Sequence, residues 1–104
     1  SAVSGIQSAL ARKDAAEQEL QVLERNLGSQ ARTLYSDIDA LQAQMAPAIE
    51  LLEGTHDLVD SYVRQYQIGR KNWLDVLNAQ QQLSLEDLVV VLLDMSLLLL
   101  QEQL

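Results

Sequence analysis

Cysteine and phenylalanine are missing from this 104-residue sequence, proline occurs once and glycine four times. Without cysteine there is no disulfide framework, no thiolate zinc site and no cysteine nucleophile. With so little glycine and proline there are too few turning points for a β-sandwich or barrel, which needs one every ~8–12 residues. Positive charge is scarce as well: 7 Lys and Arg stand against 15 Asp and Glu, for a formal net charge of -8. A nucleic-acid partner requires a basic stripe that neutralises phosphates, so nucleic acid is excluded as a partner. No basic stretch leading into an apolar core opens the chain, so no signal peptide is expected in it. Export stays open if the segment is internal to a longer protein.

What is present is Leu, Ala and Gln, with 48% of residues apolar. That is too apolar for a flexible linker and is the composition of long helices, so the fold class is all-α. The length suits one domain.

The apolar positions supply the architecture. Ala16, Leu20, Leu23, Leu27, Ala31, Leu34, Ile38, Leu41, Met45, Ala48 and Leu52 follow one another at steps of three and four, and the stripe continues through Val59 to Tyr66. This is a coiled-coil seam, with one extra step of four near Gly28 that locally unwinds the supercoil. A single helix over about residues 6–67 would be ~93 Å long. Pro47, Gly28 and Gly54 are the points where it could be interrupted. A break at Pro47 would allow a three-helix fold-back. However, Gln44-Met45-Ala46-Pro47-Ala48-Ile49 has no Gly, Ser or Asn, and the seam passes through it in phase. A kink within one helix is therefore expected.

The turn signal is Gln67-Ile68-Gly69-Arg70-Lys71-Asn72. Gly69 can take the left-handed conformation that closes a helix. Asn72 can cap the next one, with Asp75 placed where a negative charge meets the positive helix end. The chain thus reads as one long antiparallel helical hairpin over 1–104: a helix over about 6–67, a tip over 68–72 and a helix over about 73–103. Between Leu88 and Leu100 only Asp94 and Ser96 are polar. That run is too short to span a membrane, which takes ~20 residues. Its apolar side chains go all round the helix, so it is expected to be buried on several sides by partner chains or a bundle; an interfacial or aggregation-prone segment is the alternative.

The run Tyr66-Gln67-Ile68-Gly69-Arg70-Lys71-Asn72-Trp73-Leu74-Asp75-Val76-Leu77-Asn78-Ala79-Gln80 resembles the signature of the TolC-like outer membrane channel family: an aromatic residue, a Gly three positions on, a basic residue, then D-V-L-[DN]-A. Upstream, Ala15-Ala16-Glu17-Gln18-Glu19-Leu20 and Ser29-Gln30-Ala31-Arg32-Thr33-Leu34-Tyr35 resemble the family's long descending helix. The resemblance implies the periplasmic part of an outer membrane channel for efflux or type I secretion. It implies a homo-oligomer, trimeric in the parent channel, and a periplasmic adaptor (membrane fusion) protein as partner. A family protomer carries two such hairpins and membrane strands, so this segment is expected to be a fragment.

The resemblance also assigns residues. Lys71 matches the basic residue that pairs with neighbouring helices and helps hold the tip closed. Tyr66 matches a tip tyrosine that hydrogen-bonds across helices. Asp75 and Asn78 match the acidic rings of the aperture, with Asn78 in place of a carboxylate, so one acidic ring remains. Ile68, Gly69 and Arg70 match the loop that meets the adaptor.

The charge pattern adds a residue-level observation. From Asp37 to Val63 there are six carboxylates and no Lys or Arg, Arg64, Arg70 and Lys71 then cluster at the turn, and no basic residue follows. The plain reading of these cations is that they balance a helix C-terminus. Nothing suggests an enzyme: Ser, His and Asp occur, but nothing in the pattern joins them as a triad. No cofactor is expected. His56 has Glu53 and Asp60 at helical spacing, a set that binds a divalent metal weakly at best; a surface His is the expectation, with no metal site. The alternative to a transport component is a structural coiled-coil or helical-bundle interaction module.

Overall fold

The computed structural model describes all 104 residues. It contains two helices and no strand: α1, Ala2–Gln67, and α2, Trp73–Glu102. The first turn of α1 bonds back to Ser1. The Ser4 N–H donates to the Ser1 hydroxyl at 3.2 Å. The Gly5 N–H donates to the Ser1 carbonyl at 3.0 Å. A side-chain oxygen at this position satisfies a donor that the first turn leaves orphaned.

The chain divides into two units, Ser1–Ser36 and Asp37–Leu104. The first is a single helical stretch. Apart from half-buried Gly28 and Leu34, all its residues are exposed. Its stripe of Leu20, Leu23 and Leu27 is more than half exposed. Local pairs decorate its polar face, Lys13 with Glu17 at 3.9 Å and Gln18 with Asp14 at 3.2 Å.

The second unit is an antiparallel hairpin. On α1 the least exposed positions are Ile38, Leu41, Met45, Ala48, Leu52, Thr55, Val59 and Tyr62, with Ser61 and Gln65 beside them. On α2 they are Val76, Ala79, Leu83, Glu86, Val90, Leu93, Leu97 and Leu100, with Asp75 and Ser96 beside them. Both lines advance by alternating steps of three and four, the seam of a left-handed coiled coil. Run back from the turn, they set Val59 level with Ala79 and Leu52 level with Glu86. A cleft of about 430 Å³ agrees with this level, since Leu52, Glu53, His56 and Asp57 share it with Gln80, Leu83, Ser84 and Asp87. Ile38, Val59 and Val76 retain only 5–7% of their exposure. Burial of that extent stabilises by about 1.5–3 kcal/mol per side chain.

Pro47 lies inside α1, which continues through it, so the fold-back alternative does not occur. The proline is on an exposed position while Met45 and Ala48 on either side belong to the seam. Burial of the seam against α2 thus outweighs the single backbone hydrogen bond that proline removes. The seam ends at Tyr62 and not at Tyr66, which is 44% exposed. At the far end only Val90, Leu93, Ser96, Leu97 and Leu100 of the apolar run are turned inward. Leu88, Val89, Val91, Leu92, Met95, Leu98 and Leu99 remain about half exposed. One facing helix covers one stripe, and this run has several. No helix is long and apolar enough to cross a membrane.

Candidate functional site at the hairpin turn

α1 closes by a two-bond cap. Gly69 has φ 80°, the left-handed conformation that only glycine adopts without cost. Its N–H donates to the Tyr66 carbonyl at 3.0 Å, and the Arg70 N–H reaches back to the Gln65 carbonyl at 2.8 Å. These are the two reverse bonds of a Schellman motif, and they satisfy carbonyls that the helix end leaves open. Asn72 then starts α2. Its backbone is extended, and its side-chain oxygen accepts the Asp75 N–H at 2.9 Å. The chain reverses in the five residues 68–72, fixed by the two backbone bonds of Gly69 and Arg70 and by the side-chain cap of Asn72.

That geometry distributes the seven residues singled out at the tip. Ile68 is 67% exposed at the apex. Arg70 is exposed beside Gly69, and Asn78 is exposed on the first turns of α2. Tyr66 meets Trp73 across the turn, with ring centroids 5.6 Å apart and planes tilted by 59°. Lys71 is half-buried, and its ammonium nitrogen lies 4.4 Å from the centroid of the Tyr62 ring. Asp75 is half-buried too. Lys71 and Asp75 do not pair with each other: the ion pairs of this chain are Lys13–Glu17 and the contacts of His56. Within one hairpin the carboxylate of Asp75 is thus left free for a group outside it.

Tyr62 is the tip residue that the sequence reading passed over. Three of the four aromatic residues, Tyr62, Tyr66 and Trp73, fall within twelve positions spanning the turn. That clustering, with Tyr62 and Tyr66 one helical turn apart, was the available signal.

His56 is exposed, as expected of a surface histidine. Its Nδ1 lies 3.6 Å from Asp60 Oδ2 and 4.0 Å from Asp57 Oδ1, whereas Glu53 makes no ion pair with it. The donor atoms of His56, Asp57 and Asp60 all lie within 4.8 Å of one another, on exposed side chains. Exposed pairs of this kind are worth little, ~0–1 kcal/mol. Glu86 is the buried charge that no pattern announced. It is 7% exposed in the middle of the α2 seam, and one carboxylate oxygen has no partner.

Neither the curated proteins nor the solved structures include a match to this chain. A family model does match, that of the outer membrane efflux proteins, and it spans residues 1–104. The helical hairpin, the glycine-closed turn and the aromatic and basic residues gathered on it fall within that match, and the chain belongs to the outer membrane efflux protein family.

Proposed function

We propose that this chain is a periplasmic helical segment of a TolC-like outer membrane channel, and that its turn both gates the duct and docks an adaptor protein. The observation that carries the gating half is the state of Lys71 and Asp75: both half-buried, both at the turn, and unpaired with each other. Opposite charges four residues apart on one turn that do not pair with each other are available to adjacent helices. Membership of a transport family, and not an enzyme family, supports the same direction. In the homotrimeric parent channel three copies of the turn converge. Each Lys71 contact is worth ~1 kcal/mol or less when exposed, and three copies sum. A closed-to-open balance of a few kcal/mol shifts when they are removed. Asp75 supplies one ring of like charge, a constriction that attracts cations. Ile68, Gly69 and Arg70, at the exposed apex, are the surface offered to the adaptor's own helical hairpin. Opening is an untwisting of packed coiled-coil helices once the tip contacts break.

Single-channel conductance of the full-length channel in planar bilayers tests this. Lys71→Ser raises the conductance of the closed tip. Asp75→Ala lowers cation preference, because Asn78 leaves no second acidic ring to compensate. Unchanged traces in both variants would reduce these residues to a helix-end cation and a first-turn carboxylate.

A further inference from the structure

We propose that Tyr62 is a positioning residue for Lys71: its ring holds the ammonium inside the hairpin and competes with the acceptor on a neighbouring helix. The proposal rests on the reading of the turn as a gate, and it adds a second, intrachain partner to that gate.

The geometry is specific. The Lys71 nitrogen stands 4.4 Å from the Tyr62 ring centroid, inside the ~6 Å range over which a ring face attracts a cation. Both side chains are half-buried, so neither is free in water. The backbone dictates the approach. Gly69 reverses the chain and Asn72 starts α2, which leaves Lys71 between them, beside the last turns of α1. The other aromatic pair does not compete for it, because Tyr66 is engaged with Trp73. No carboxylate of the hairpin forms an ion pair with Lys71. Its partner within the chain is therefore an aromatic face.

That choice of partner has a consequence for gating. A half-exposed ammonium gains about as much from an aromatic face as from an exposed carboxylate. A neighbouring helix can therefore take Lys71 from Tyr62 without a large loss, and Tyr62 can recapture it. When the ring is removed, Lys71 is left with the neighbour alone. Tyr62→Leu should then tighten the closed tip, the opposite of Lys71→Ser, while Tyr62→Phe, which keeps the ring face, should change little.

The chain contains two lysines, Lys13 and Lys71, and Lys13 lies 3.9 Å from Glu17 on an exposed face. Labelling lysine with ¹³C thus gives two ε-methylene signals, one of them an internal reference. The Lys71 protons are expected upfield of the Lys13 protons through the ring current. Tyr62→Phe preserves the displacement, and Tyr62→Leu abolishes it. Coincident signals in the native chain, or a displacement that survives Tyr62→Leu, would overturn the placement. In the full-length channel, Tyr62→Leu is expected to lower closed-state conductance, and Tyr62→Leu combined with Lys71→Ser to behave as Lys71→Ser alone. Native conductance in Tyr62→Leu, when Lys71→Ser opens the tip, overturns the competition. If Lys71→Ser itself changes nothing, the gate reading fails and the competition fails with it, while the lysine spectrum still decides whether Tyr62 holds Lys71.

Discussion

Gln82 donates a 2.9 Å hydrogen bond to Glu86 Oε1 one turn further along α2, while Glu86 Oε2 is buried with no partner at all. Glu86 sits within a seam otherwise formed by Val76, Ala79, Leu83 and Val90, whereas Gln82 lies on the exposed flank. An unsatisfied buried polar group costs about 1–3 kcal/mol, more when charged. Glu86→Leu fills the same heptad position with an apolar side chain, and is expected to raise stability by an amount in that range. Urea unfolding followed by circular dichroism, at one fixed chain concentration, measures it. A loss of stability would mean that Glu86 finds a donor on another helix in solution.

Gly69 presents the opposite case, a residue whose value is conformational. A Cβ at this position would meet nothing within 4 Å, so no contact opposes a side chain, but φ 80° does. The left-handed conformation costs an L-residue roughly 1–2 kcal/mol. Gly69→Ala is expected to destabilise the hairpin by that amount, and Gly69→Asn by less, since asparagine tolerates this region better. Thermal melts of the two variants side by side provide the comparison. Equal stability of Gly69→Ala and the native chain would show that the turn relaxes into another geometry.

At Pro47 the expected sign reverses. The residue is in the interior of α1 and exposed, so its ring contributes little packing within the chain. Pro47→Ala restores a backbone donor to the helix and removes a steric conflict, together worth about 3 kcal/mol in an ordinary helix interior. The variant should unfold at a higher urea concentration. Destabilisation would point to a packing role for the proline ring against another helix.

The uncovered face of α2 bears on association. Leu88, Leu92, Met95 and Leu99 are each about half exposed and lie at steps of three and four, a second seam on the same helix. Soluble monomers seldom leave a contiguous apolar surface of this kind open to water. Sedimentation equilibrium at micromolar concentration is expected to give at least two chains, above the 11.6 kDa of one. A single species at the monomer mass with a cooperative melt would count against it.

In the chain's own chemistry, the two helices and the place of the turn were legible from the start. Steps of three and four in Leu, Ile and Met write α1, and Gly69 followed by Asn72 writes the reversal, because both depend on local backbone preferences. The apolar part of α2 was different. Val89 to Leu93 is an unbroken apolar run, so the pattern has no phase and cannot say which residues face the partner. Only the register against α1 selects Val90 and Leu93 and leaves Val91 and Leu92 in the open. The same register carries Glu86 inward, since a helix can turn one face only to its neighbour and Glu86 shares that face with Leu83 and Val90. At the turn, the resemblance singled out Lys71, but the sequence could not name what it touches within the chain. That contact joins Lys71 to Tyr62, on the far side of a reversal, and it exists only because the closed turn brings the end of one helix beside the start of the next.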